Sequence, residues 1–266
     1  MNGRVDVLAG TELPAVRRSW IIQRLTQAGM VRTQDLSDDL RVSVETIRRD
    51  LATLECEGVL ERVHGGATTV GYRLSEEPSF QDRTRLQEPA KLRIGQAAVG
   101  LIHNQSTIFL DLGTTALCVA LALPKDFRGI VVTNSLSTGV ELSKRPHIRL
   151  LVTGGPVRGG DLSMSGQHAV DMVENMRADV AFIGSGGVHP SAGLTDFYLE
   201  EITIRQAMMR NSAKSYVLAD SSKFSRIAPF HVADWDSFAG LITDQEPPSG
   251  LRTAVVSAGG SMIVAA

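Results

Sequence analysis

Apolar positions in the first 70 residues come in short helical bursts and then alternate as in strands. In "PAVRRSWIIQRLTQA" (14–28), Val16, Trp20, Ile21 and Leu25 fall near helical spacing, with Pro14 suited to a first turn and Gly29 to a stop. "MVR" (30–32) reads as a short extended link. Thr33 can cap a helix of barely two turns ending near Leu40, and Ser43 can cap another that runs to Glu57 and stops at Gly58. At about 100° per residue, Val44, Ile47, Leu51 and Leu54 share one face of that last helix, Arg49 lies nearly opposite, and Arg48 sits nearer the edge. "VLERVHGGATTV" (59–70) reads as two short strands around a glycine turn. From 91 onward the pattern changes. Apolar strand-like runs at 106–112, 129–133, 148–153, 179–184 and 215–220 alternate with amphipathic helical runs at 92–103, 114–123, 135–144, 166–176 and 197–212. Further strands are expected at 237–243 and 260–265.

Helix, short helix, tight turn, helix and hairpin is the order of a winged helix-turn-helix, expected over 13–69. The polar, Pro-punctuated stretch at 70–90 reads as a linker. Residues 91–266 are expected to form an α/β domain, because strands this apolar, separated by helices, argue for a mostly parallel sheet covered on both faces.

Composition changes this picture in one respect. Hydrophobic residues at 43% and charged residues at 21% are ordinary for a globular protein, but the net charge of −2 gives no global case for a nucleic-acid partner. The first 70 residues hold nine Arg and no Lys against ten Asp and Glu. Any DNA contact must therefore rest on local placement. The exposed early turns of the third helix offer Ser43, Glu45, Thr46 and Arg49, with Arg48 beside them, where a helix-turn-helix reader makes its base and phosphate contacts. Glu45 would repel phosphate, so it fits there only by accepting from a cytosine amine or orienting an arginine. Arg32 and Thr33 at the start of the short helix, and Arg62, His64 and Gly65 in the wing, complete the candidate DNA set. Cys56 and Cys118 match no metal spacing and read as reduced packing residues; no metal or cofactor is expected. The start of the chain lacks the apolar core of a secretory leader and no run of 18 apolar residues occurs, so a cytoplasmic location without a membrane partner is expected.

"VSVETIRRDLATLECEGVLERVHGGA" (42–67) closely resembles the signature of DeoR-family bacterial transcriptional regulators, and the match spans most of 17–67. The resemblance implies DNA-binding roles for Ser43, Thr46, Arg48, Arg49, Arg62 and His64. It also implies a double-stranded operator as partner and repression more than activation; with so few cations, a homodimer or homotetramer reading two half-sites is expected.

Four loops in the α/β part follow strands: "DLGTT" (111–115), "TNS" (133–135), "TGG" (153–155) and "GSGGV" (184–188). All are expected at the carboxyl edge of the sheet, where ligands of open α/β sheets bind. Gly113 lets the backbone approach a ligand, and Thr114 and Thr115 open a helix suited to phosphate. Ser135 and Ser185 add hydroxyls. Lys223 in "ADSSKF" and Glu201 are candidates for phosphate or hydroxyl recognition. The arrangement resembles the DeoR-type sensor domain, related in fold to ribose-5-phosphate isomerase and the coenzyme A transferases. That resemblance implies a phosphorylated-sugar effector held by Asp111, Gly113, Thr114, Thr115, Thr133, Asn134, Gly154, Gly155, Gly187, Glu201 and Lys223. A phosphosugar-converting enzyme with an accessory winged module is the competing reading. The isomerases need a carboxylate base in an Asp-Gly-Ala-Asp-Glu loop, and this chain has "GSGGVHP" there. Binding without turnover is therefore the expectation.

Overall fold

The computed structural model describes residues 13–28, 30–63, 66–69 and 77–265. They belong to two compact units, Met1–Ser75 and Glu76–Ala266.

The first unit runs α1 (Pro14–Ala28), β1 (Met30–Arg32), α2 (Thr33–Leu40), α3 (Val44–Cys56), β2 (Leu60–Val63) and β3 (Gly66–Thr69). The "MVR" segment is more than a link: it pairs antiparallel with β3, giving a three-stranded sheet in the order β1-β3-β2. Ser43 caps α3, its hydroxyl accepting the Thr46 N–H at 3.1 Å. Gly58 follows the helix at φ +71°, a left-handed turn that suits a residue without Cβ. Ile21, Leu25, Leu36, Ile47, Leu51, Leu54 and Leu60 form the core. The inward face of α1 differs from expectation: Val16 is exposed and Arg17 is buried. The reason is Asp50, buried on α3, which receives the Arg17 guanidinium through two hydrogen bonds of 2.5 and 3.1 Å. Val44 is half-buried rather than core, and Cys56 is exposed rather than packed.

The second unit contains α4 (Phe80–Arg85), α5 (Glu88–Val99), β4 (Thr107–Leu110), α6 (Thr114–Ala122), β5 (Gly129–Thr133), α7 (Leu136–Leu142) and β6 (Ile148–Val152). A hairpin follows, β7 (Val157–Arg158) and β8 (Ser163–Met164), then α8 (Gln167–Glu174), β9 (Ala178–Ile183), β10 (Gly187–His189) and β11 (Gly193–Asp196). The chain continues through α9 (Leu199–Arg210), β12 (Ser212–Leu218), β13 (Phe230–Ala233), β14 (Gly240–Thr243), α10 (Ser249–Ser257) and β15 (Ser261–Val264). Seven strands form one all-parallel sheet in the order β15-β14-β12-β9-β4-β5-β6. Alternate side chains enter separate layers. Phe109, Ala181, Ile183, Val217 and Leu241 pack with α8, α9 and α10, while Ile108, Leu110, Val180, Phe182 and Leu218 pack with α5 and α6.

The linker expected at 70–90 overlaps structured chain from residue 77 onward. Residues 77–90 belong to the second unit, as α4 and the start of α5. The signal was the run Ser79-x-x-Asp82: the Ser79 hydroxyl accepts the Asp82 N–H at 3.2 Å, a helix cap inside a stretch polar enough to pass for a connector. Helix α10 was also missed, hidden among Pro and Gly. Among the described residues, no helix is long and apolar enough to cross a membrane.

Strand order locates the site. From β4 the chain winds one way to β5 and β6, then the other way through β9, β12, β14 and β15. A doubly wound sheet opens a crevice where that direction reverses, outside the carboxyl ends of the strands. Here the reversal falls at β4 and β9.

Candidate functional site

Two surfaces carry the expected chemistry. In the first unit, the amino-terminal half of α3 turns Arg48 and Arg49 outward with 63% and 80% of their side chains exposed. Arg49 is the more exposed, as its position opposite Ile47, Leu51 and Leu54 requires. Glu45 lies between them, 3.7 Å from the guanidinium of each, so it orients the arginines while they face water. Exposed pairs of this kind contribute about 0–1 kcal/mol, small enough for either arginine to exchange Glu45 for a phosphate or a base edge. Ser43 and Thr46 are engaged with each other, their hydroxyls 2.8 Å apart. Arg62 is exposed on β2, 3.8 Å from Glu55, whose carboxylate also accepts the Arg62 N–H at 3.1 Å. Thr33 is buried at the start of α2, which weakens it as a DNA contact. Arg32 pairs through its backbone with Gly66. His64 and Gly65 lie outside the described residues.

In the second unit a pocket opens at the β4–β9 crevice. Gly113, Thr114, Thr115, Ser185 and Lys223, all expected, line it. So do Glu77, Arg83, Lys91, Asp196, Arg205, Asp220, Ser222 and Arg226, none of which the sequence singled out. Gly113 precedes α6 at φ +105° and offers no side-chain cap, which leaves the first turn of α6 to meet a ligand with its N–H groups. Lys91 reaches from α5 and donates through Nζ to the Leu86 carbonyl at 2.6 Å and to the Arg83 carbonyl, fastening the end of α4 beside the pocket.

Arg205 on α9 organises the floor. Its guanidinium lies 2.6 Å from Asp111, 2.7 Å from Asp196 and 3.3 Å from Glu201. Burial alone would lower its pKa, but the three carboxylates hold it charged, well above the usual arginine value. Glu201 also accepts from Ser163 at 3.0 Å and pairs with Arg158. Burial pushes the Glu201 carboxyl up, against the pull of Arg205. Asp111 accepts the Gly184 N–H at 3.0 Å as well. Asp111 and Glu201 were expected to face the ligand. Both are instead fully buried supports of Arg205, which reaches the pocket in their place.

The remaining expected residues lie apart from this lining. Thr133, Asn134 and Ser135 are buried at the end of β5. Ser135 caps α7, and the Asn134 carboxamide is buried without a hydrogen-bond partner. Gly154 and Gly155 lead into the β7–β8 hairpin rather than a helix, where a Cβ on Gly155 would meet the Ser165 carbonyl at 2.1 Å. Gly187 likewise serves packing: its Cβ would fall 2.4 Å from the Arg226 carbonyl. "GSGGV" opens strand β10, not a helix. The Ser185 hydroxyl, though at the pocket, donates to the Leu218 carbonyl at 2.8 Å.

Among families, residues 86–245 match the DeoR C terminal sensor domain and residues 17–71 the DeoR-like helix-turn-helix domain. The chain is 33% identical over 248 residues to the HTH-type transcriptional regulator GolR of Listeria innocua, covering 92% of this chain and 96% of the relative. It is 32% identical over 232 residues to the glycerol-3-phosphate regulon repressor of Escherichia coli, covering 87% and 91%. Among solved structures, ribose 5-phosphate isomerase A of Methanocaldococcus jannaschii aligns with a TM-score of 0.40 and 19% identity, over 52% of this chain and 55% of the other.

Proposed function

This chain belongs to the DeoR family of helix-turn-helix transcriptional regulators, and from that premise we propose that its second unit senses a phosphorylated sugar. Occupancy of the pocket then modulates operator binding by the first unit, in the manner of a repressor of sugar-catabolism genes. The reading of a phosphosugar-converting enzyme gives way, since the near-full-length relatives are transcriptional regulators.

The observation that carries the effector reading is the pocket's charge. Arg83, Lys91, Arg205, Lys223 and Arg226 meet there against the carboxylates Glu77, Asp196 and Asp220, beside the first turn of α6. Lysine and arginine side chains beside a helix N-terminus suit a phosphate dianion, and the carboxylates and hydroxyls suit a polyol. Lys223 is the phosphate partner in this reading. Burial pulls its pKa below the usual lysine value, Glu77 opposes that, and an incoming dianion would restore its full charge.

The test is thermal unfolding against a panel of sugar phosphates and the matching free sugars. A ligand at 100 times its Kd stabilises by about 2.7 kcal/mol, which shifts the midpoint by several degrees. One phosphosugar should shift it and its free sugar should not; equal shifts would remove phosphate from the reading. Lys223→Ala should abolish that shift while leaving operator binding intact. Loss of both would mark Lys223 as a folding residue.

On the DNA side, Ser43, Glu45, Thr46, Arg48, Arg49 and Arg62 are the proposed reading set. Arg49→Ala is expected to weaken operator binding by about 1–3 kcal/mol in a fluorescence anisotropy titration. Unchanged affinity would reject this placement of α3. With so few cations on the first unit, affinity depends on pairing half-sites, so a homodimer or homotetramer is part of the proposal.

A further inference from the structure

Glu77 is an anomaly in a pocket meant for an anion. Its side chain is 6% exposed, and its carboxylate lies 2.5 Å from Arg83 Nη1. Arg83 is otherwise held by Asp161 at 2.7 Å. Glu77, Arg83 and Lys223 all line the same cavity. Glu77 is also the second residue of its unit, which begins at Glu76, so it stands where the chain coming from the DNA-reading unit joins the sensor. Pro78 lines the pocket beside it, and Ser79 caps α4.

We propose that the Glu77 carboxylate is a built-in occupant of the anion site, and that a bound phosphate or sulfate takes over Arg83 and Lys223, expels Glu77 and loosens the 77–86 segment. The proposal rests on the pocket being an anion site. It adds a route from ligand to DNA-reading unit that needs only the covalent chain. Two features make the carboxylate an apt internal stand-in. It supplies one negative charge where a dianion supplies two, so the ligand wins the cations. Burial also pushes its carboxyl up to about 7, with Arg83 pulling the other way, so near neutrality it readily takes a proton and leaves the cations to the ligand. The other charged groups acting on it are Asp196, Lys223 and Asp161.

The test is calorimetric titration of the full chain with sulfate, which keeps its charge across the range used, at pH 8 and pH 6. Glu77→Gln should bind sulfate at least about tenfold more tightly than wild type at pH 8, as removing an internal competitor that fills the site nine-tenths of the time would do. Wild type should approach the variant at pH 6, as Glu77 takes up a proton; the variant itself lacks that gain, so the narrowing gap isolates Glu77 from Lys223. Equal affinities at pH 8 would overturn the displacement and leave the anion site standing. Failure of both proteins to bind sulfate would overturn both. Should the variant not fold, hydrogen exchange on wild type decides. The amides of Asp82 and Arg83, both bonded to Ser79, should exchange faster with sulfate bound. Slower exchange would overturn the proposal.

Discussion

Arg205→Ala should cost the sensor unit about 3–5 kcal/mol or more, enough to unfold it if its margin lies at the low end of the usual range of about 5–15 kcal/mol. The loss comes from what remains. Asp111, Asp196 and Glu201 all lose their shared cation while staying buried. Asp111 and Asp196 would then lose the ion pair that offsets their burial, or would have to take up a proton, and Glu201 would be left with Arg158. Arg205→Lys should lose less, since one ammonium keeps the charge but cannot fork toward three carboxylates. Urea denaturation followed by tryptophan fluorescence reads the effect, because Trp235 belongs to the sensor core. The defect should shrink on acidification. Glu201, already pushed up by burial, takes up a proton as the pH falls. A loss near zero at pH 7 would mean that the triad is not charged as described.

Asp50→Ala should cost the first unit a similar amount, about 3–5 kcal/mol, by taking from the buried Arg17 guanidinium the carboxylate that receives it at 2.5 Å. The proportionate effect is larger here. Among the described residues the unit's core rests on ten buried side chains, and a domain this small has little stability to lose. Operator binding should disappear with the fold, whereas Arg49→Ala weakens binding and leaves the melting temperature in place. Replacing the pair together, Arg17→Met with Asp50→Leu, should recover much of the stability, because packed apolar groups commonly match a buried ion pair. Circular dichroism melts of the single and double variants check both statements. A single variant as stable as wild type would show that the pair is not what joins α1 to α3.

The same two ion-pair systems mark where sequence reasoning stopped. Helix α3 was legible because Ile47, Leu51 and Leu54 repeat at helical spacing behind a Ser cap. Arg17 was not: an arginine in an amphipathic run reads as surface until Asp50, far along the chain, is seen to meet it. The strands of the sheet were legible as apolar runs, and the loops after β4 and β9, which line the pocket, as glycine-bearing turns that follow strands. Arg205 sits within a helix, and its partners come from the residue after β4, from β11 and from the first turn of its own helix, so no local pattern announces it. Asp111 and Glu201 were found by position but misread in role, since a sequence shows which carboxylates reach an edge and not which cation is already there. Glu77 and Arg83 were lost inside a stretch whose polarity suggested a connector.

The order of strands in the sheet has a consequence for how the protein is made. β4, the first strand of the sheet to be synthesised, ends up in its interior: Ile108 pairs with Val131 on one side and with Val180 on the other. The second pairing has to wait until β9 has been translated and must close a long loop of chain, whereas the first unit closes shorter ones, as from Met30 to Thr68. Folding slows as contacts become more distant in sequence. On a translating ribosome the operator-reading unit is therefore complete while the sheet still lacks half its strands. For that interval a nascent regulator can hold DNA-binding structure with no pocket to answer to.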